Sequence, residues 1–113
     1  MADAAHLAQA DFFGIASGSK IPDKLARSGL TAVRSKKVDA PVIQELPLTL
    51  ECRVIVDRME SYGHNILGEI TGVLADAAVL DETGEIDPKR LNAVVYDQMR
   101  GGYYAVVEKI GQA

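Results

Sequence analysis

The residues best placed to do chemistry begin at His64. The segment His64-Asn65-Ile66-Leu67-Gly68-Glu69-Ile70 has the period of two that marks a half-buried strand. On that period His64 shares a face with Gly68 and Gly72, and with the apolar Ile66, Ile70 and Leu74. Glycine inside a strand marks a bulge or a close approach by backbone or ligand. An imidazole beside such space can donate or accept a hydrogen bond and so orient a ring. The plain alternative is a strand-end histidine capped by solvent.

Other reactive groups offer less. Ser17-Gly18-Ser19-Lys20 lies before a helix, where free amides bind anions, but it is not a phosphate-loop signature and reads as an interhelical turn. Glu51 and Glu69 face away from the apolar sides of their strands, which argues against a paired acid and base. Asp81, Glu82, Glu85 and Asp87 lack the alternating oxygen ligands of a calcium loop. Tyr103 and Tyr104 alternate on a strand, one toward the core and one outward, a pattern that serves packing. His6 falls in an alanine-rich terminus and reads as surface. No metal-ligand spacing and no serine–histidine–acid arrangement is present. No residue can be assigned a catalytic role.

The elements that position these groups follow from patterning. Leu48, Leu50, Cys52, Val54 and Val56 alternate with Thr49, Glu51, Arg53 and Asp57, predicting a strand. Glu60-Ser61-Tyr62-Gly63 joins it to the His64 strand as a hairpin. The same parity puts Cys52, the only cysteine, on the apolar face as a buried small hydrophobe. Upstream, Asp3 caps a short helix through about Ala10, followed by an apolar knot at Phe12, Phe13 and Ile15. Pro22 starts a second helix, Asp23-Lys24-Leu25-Ala26-Arg27, which Gly29 ends. Residues 30 to 47 read as irregular or weakly helical. Asp87-Pro88 reads as cap and first turn of a helix to about Asn92. Val94-Val95-Tyr96 and Tyr103 to Ile110 read as strands flanking Gly101-Gly102. The fold class is mainly β with short helices. So few strands leave open edges, which proteins cover, charge or pair with another chain.

Composition narrows the function. One domain of 113 residues, 48% hydrophobic and 25% charged, is an ordinary soluble globular chain. A net charge of −4 excludes nucleic acid as a partner, because phosphate binding needs clustered cations. Arg34, Lys36 and Lys37 form the only such cluster, and Asp39 follows at once. A lone cysteine rules out an internal disulfide and fits a reducing cytoplasm. The start Met1-Ala2-Asp3 is not a signal peptide, and no segment reaches the ~20 apolar residues that cross a bilayer.

The ordered set Asp11-Phe12-Phe13-Gly14-Ile15-Ala16-Ser17-Gly18, Asp23-Lys24, Gly29-Leu30, Val38-Asp39-Ala40-Pro41 and Leu48-Thr49-Leu50-Glu51-Cys52 resembles the flavoredoxin group of the flavin-reductase-like, FMN-binding split-barrel family. Gly63-His64-Asn65 through Gly68-Glu69-Ile70 is similar to that family's glycine-(any)-histidine segment, and Tyr103-Tyr104 to Gly111 to its closing strand. The whole chain, 1-113, matches only the C-terminal half of such a protein, without the half that supplies most flavin contacts, including the phosphate anchor. Val107 stands where glycine is usual.

The resemblance implies an antiparallel split β-barrel, FMN as cofactor once the barrel is completed, and His64, Asn65 and Tyr104 as cofactor-binding residues. It implies electron transfer or NAD(P)H-linked flavin reduction, a homodimer, and a redox-protein or nicotinamide partner. The alternative is a truncated or degenerate, non-catalytic dimerisation module without flavin.

Overall fold

The computed structural model describes residues 1–112. Antiparallel strands dominate, with a few short helices, as the patterning predicts. Helix α1 spans Leu7–Ile15 and α2 spans Lys24–Ser28. Strands β1 (Ala32–Arg34) and β2 (Pro41–Ile43) form a small hairpin. Strands β3 (Leu48–Glu60) and β4 (Gly63–Ala75) form a long one, and α3 (Pro88–Leu91) precedes the pair β5 (Val94–Asp97) and β6 (Gly102–Ala105). The three pairs are separate two-stranded sheets. No helix among the described residues is long and apolar enough to cross a membrane.

Local chemistry explains the ends of these elements. Asp87 caps α3 by accepting from the amides of Lys89 and Arg90, with Pro88 in the first turn. Gly29 closes α2 with a left-handed φ of 72°, which glycine adopts without strain. Asp3 accepts from the His6 amide, but it caps a single 3-10 turn, and α1 runs on through Phe12 and Phe13 to Ile15. His6 is half-buried, its Nδ1 2.5 Å from Asp3 Oδ1, rather than free at the surface. Two further expectations fail. Residues 32–34 and 41–43 are strands, too short to show a period. The last strand ends at Ala105, short of Ile110.

The long hairpin breaks the simple alternation twice. Glu51 pairs with Gly72 but Cys52 with Ile70, so Thr71 is an extra residue on β4; Val54 pairs with Gly68 but Val56 with Leu67, so Ile55 is extra on β3. A bulge of one residue exchanges the faces beyond it. Gly72 and Leu74 therefore lie on the face opposite His64, and Asp57 joins the face of Cys52. Cys52 is exposed, contrary to its expected burial.

Among the described residues, the hairpin is covered at its base and on one face just above it. Leu48, Val79, Leu91 and Ala93 make up the buried apolar core. There Asp3 bridges Ala93, and Val106 donates to the Ala93 carbonyl at 2.8 Å. Above the base, the β1–β2 turn closes over the face carrying Glu51. Ser35 Oγ donates to Glu51 Oε1 at 2.5 Å and accepts from the amides of Lys37 and Val38 at 2.9 and 3.0 Å. A Cβ at Gly72 would overlap the Glu51 carboxylate and lie 3.0 Å from Lys37 Cδ.

Four substitutions have expected outcomes in chemical denaturation. Leu91→Ala should cost about 2–5 kcal/mol, the range for emptying a core leucine site. Leu67→Ala, exposed on the hairpin, should change stability by no more than about 0.5 kcal/mol. Gly72→Ala should cost about 1.5–3 kcal/mol by displacing the Glu51 carboxylate from Ser35, the range for a hydrogen bond to a charged group. Ser35→Ala should reproduce that loss, and hydrogen exchange at the Lys37 and Val38 amides should accelerate in both variants. Wild-type exchange there would show that the Ser35–Glu51 contact does not hold the turn.

Candidate functional site

His64 stands one residue into β4, at the far end of the hairpin. Its Nε2 is paired with the Asp57 carboxylate, a diagonal neighbour across the strands, since Asp57 opposes Ile66 and His64 opposes Met59. A carboxylate only accepts, so Nε2 carries the proton, and in the neutral ring Nδ1 is left as an acceptor. His64 is half-exposed. Asp57 is the residue that sequence reasoning missed, because strict alternation assigned it to the other face and the Ile55 bulge turns it back.

From His64 toward the base, this face carries Ile66, Ile70 and Val54, all more than half exposed. With Gly68 and Cys52 among them, they form an apolar surface beside the Asp57–His64 pair. A Cβ at Gly68 would lie 3.1 Å from Cys52 Cβ and 3.7 Å from the Arg53 carbonyl oxygen. This glycine thus serves the close passage of β3 past β4, and Gly72 makes room for Glu51. Neither clears space for a ligand beside His64, although the flat face itself remains open to one.

The other two expected cofactor residues lie elsewhere. Asn65 points to the opposite face from His64, and its Nδ2 donates to the Tyr62 hydroxyl at 3.2 Å. Tyr104 is on β6 opposite Val95, largely exposed. Among the described residues no hydrogen bond or ring contact joins it to His64 or Asn65. Its neighbour Tyr103 packs against Tyr96, ring centroids 5.0 Å apart, and donates its hydroxyl proton to Asp11 Oδ1 at 2.8 Å. That bond to a carboxylate holds the Tyr103 phenol above its ordinary pKa and ties β6 to α1.

Anion-binding groups are not gathered near His64. In the Ser17–Lys20 turn the amides of Lys20 and Ile21 both donate to the Ser17 carbonyl, at 3.1 and 2.9 Å, and the Ser17 and Ser19 hydroxyls bond each other at 2.8 Å. The basic run lies across the β1–β2 turn, where Arg34 pairs with Asp39 at 3.0 Å. Beside it is a cleft of about 340 Å³ walled by Val33, Val42 and Leu74, with Glu51 among its lining residues. Glu51 is 4% exposed, although its parity predicts a solvated side chain. Its burial depends on Ser35, a loop residue to which no pattern points. Asp81, in the acidic turn, spends Oδ1 on the amides of Thr83 and Glu85.

No family model matches the chain. It is 39% identical over 77 residues to an uncharacterized protein of Archaeoglobus fulgidus, a match covering 67% of this chain and 42% of that one. The flavoredoxin of Desulfovibrio vulgaris (Miyazaki F) superposes with a TM-score of 0.87 at 33% identity, covering 98% of this chain and 58% of that chain. A protein assigned as a flavin reductase with a split barrel domain, from Shewanella frigidimarina, superposes with a TM-score of 0.78 at 21% identity, over 99% of this chain and 56% of that one. The chain thus spans about half the length of the proteins it matches. In its fold it belongs with the flavoredoxin and flavin-reductase split-barrel proteins, as the resemblance in its sequence implies.

Proposed function

We propose that the chain is one part of a split-barrel redox protein and contributes contacts to the flavin ring, taking FMN once the barrel is completed. The observation that carries this reading is the Asp57–His64 pair at the end of an open, apolar sheet face. A flavin ring needs an apolar surface to lie on and a hydrogen bond at its polar edge. Val54, Ile66 and Ile70 supply the first, and His64 Nδ1, with its ring fixed through Nε2 by Asp57, supplies the second. Bound flavin would accept and pass on electrons, from a reduced nicotinamide or a redox protein. The kinship with a flavoredoxin supports the assignment.

The residues present fit the ring and not the phosphate. In the Ser17–Lys20 turn the Lys20 amide is taken up by the Ser17 carbonyl and the two serine hydroxyls bond each other, and the basic run Arg34–Lys37 lies across the β1–β2 hairpin. The phosphate anchor therefore belongs to the part of the barrel this chain does not span. The same observation favours a second reading, a non-catalytic strand-pairing module without flavin.

Flavin fluorescence separates the two readings. The isolated chain should bind FMN weakly or not at all, and a completed barrel should bind it stoichiometrically. In the completed protein His64→Ala should slow electron transfer about tenfold, roughly 1.4 kcal/mol, while leaving the far-ultraviolet dichroism unchanged. Asp57→Asn should produce a smaller loss in the same direction. A completed barrel that ignores FMN would leave the non-catalytic module standing.

A further inference from the structure

The cleft under the β1–β2 turn is walled by this chain alone, on the face of the hairpin opposite His64. Its volume of about 340 Å³ is at the small end of the ~300–1,000 Å³ range of ligand sites. Val33, Val42 and Leu74 form its apolar side, and Val33 and Leu74 are still 39% and 47% exposed. Glu51, also in the lining, is buried, and a buried carboxylate calls for an opposite charge or several donors. Ser35 Oγ donates to its Oε1, but Oε2 has no donor among the described residues. On the exposed side Arg34 is paired with Asp39. The ammonium groups of Lys36 and Lys37, beside it in the lining, have no partner among the described residues. The Lys37 stem and Glu51 Oε2 meet above Gly72, whose missing side chain leaves room for both.

We infer that this cleft is a binding site for a small zwitterion with an apolar body, the chemistry of a free α-amino acid. The buried carboxylate by itself would select a cation, but the two unpaired lysines beside it repel one. The lysines by themselves would select an anion, which Glu51 repels. A molecule with an ammonium and a carboxylate on one carbon satisfies both. Its ammonium donates to Glu51 Oε2, its carboxylate accepts from Lys36 or Lys37, and its side chain covers Val33, Val42 and Leu74. An internal stretch of polypeptide has no such pair of charges on one carbon, which sets this occupant apart from a further segment of the fold. The inference is independent of flavin binding, which is proposed for the opposite face.

The test titrates L-phenylalanine to millimolar concentration into the 113-residue chain without flavin, following methyl resonances by NMR. Saturable shifts are expected at Val33, Val42 and Leu74, and none at Ile66 or Ile70 on the other face. Phenylacetate lacks the ammonium and phenethylamine lacks the carboxylate. Each should bind at least about tenfold more weakly than phenylalanine, the loss of one hydrogen bond to a charged group. Glu51→Gln should remove the preference over phenylacetate. The double variant Lys36→Ala, Lys37→Ala should remove the preference over phenethylamine. Neither lysine side chain takes part in the Ser35–Glu51 bond, so the double variant decides the matter where Glu51→Gln fails to fold, which dichroism reports. Four results would overturn the proposal. They are no saturable shift, shifts centred on Ile66 and Ile70, phenylacetate or phenethylamine binding as tightly as phenylalanine, and folded variants that keep the wild-type preferences.

Discussion

The long hairpin is apolar on most of one face and part of the other, yet among the described residues the rest of the chain covers its base and, through the β1–β2 turn, the Glu51 side just above it. Everything else in the structure accommodates that imbalance. Leu48, Val79, Leu91 and Ala93 close a small core where the hairpin begins, and the β1–β2 turn covers one face through the Ser35–Glu51 bond. Beyond this the strands project outward with their edges open. Burial of apolar area is the main force that folding has at its disposal, and here much of it remains unspent within the chain. A partial barrel has this character, and the partial coverage of the superposed proteins agrees with it.

Function follows the same division. The Asp57–His64 pair stands at the end where the hairpin is least covered, so a ligand there meets an apolar wall on one side only. The arginine at that end, Arg58, lies on the opposite face from His64 and is paired with Glu60. A flavin held by this chain alone would be ordered at one edge of its ring and free elsewhere. On the proposed reading the chain's own residues would orient the ring, and its enclosure would come from the remainder of the barrel.

Much of this was legible in the sequence. The hairpin and its turn, the Gly29 stop, the Asp87-Pro88 cap and the β5 strand follow from residue type and local spacing. The bulges at Thr71 and Ile55 do not, because neither residue is distinctive and a register slip is decided by pairing across strands. That one blind spot moved Gly72, Leu74, Val56 and Asp57 to the wrong faces and hid the partner of His64. Glu51 was misread for a related reason. Its cover comes from Ser35, sixteen positions away, in a stretch whose strands are three residues long and carry no period. His64 was marked by its strand position and by resemblance, Asn65 and Tyr104 by resemblance alone, and His64 and Asn65 lie on opposite faces of the hairpin.

Native-state hydrogen exchange of the isolated chain tests the central claim most directly. An uncovered hairpin opens at low cost. Amides from Arg53 to Gly68 should therefore exchange far faster than those at Leu48–Glu51 and Leu91–Val94. Uniform strong protection along β3 and β4, in a chain that sediments as a monomer, would contradict it and show that the hairpin is already part of a complete fold.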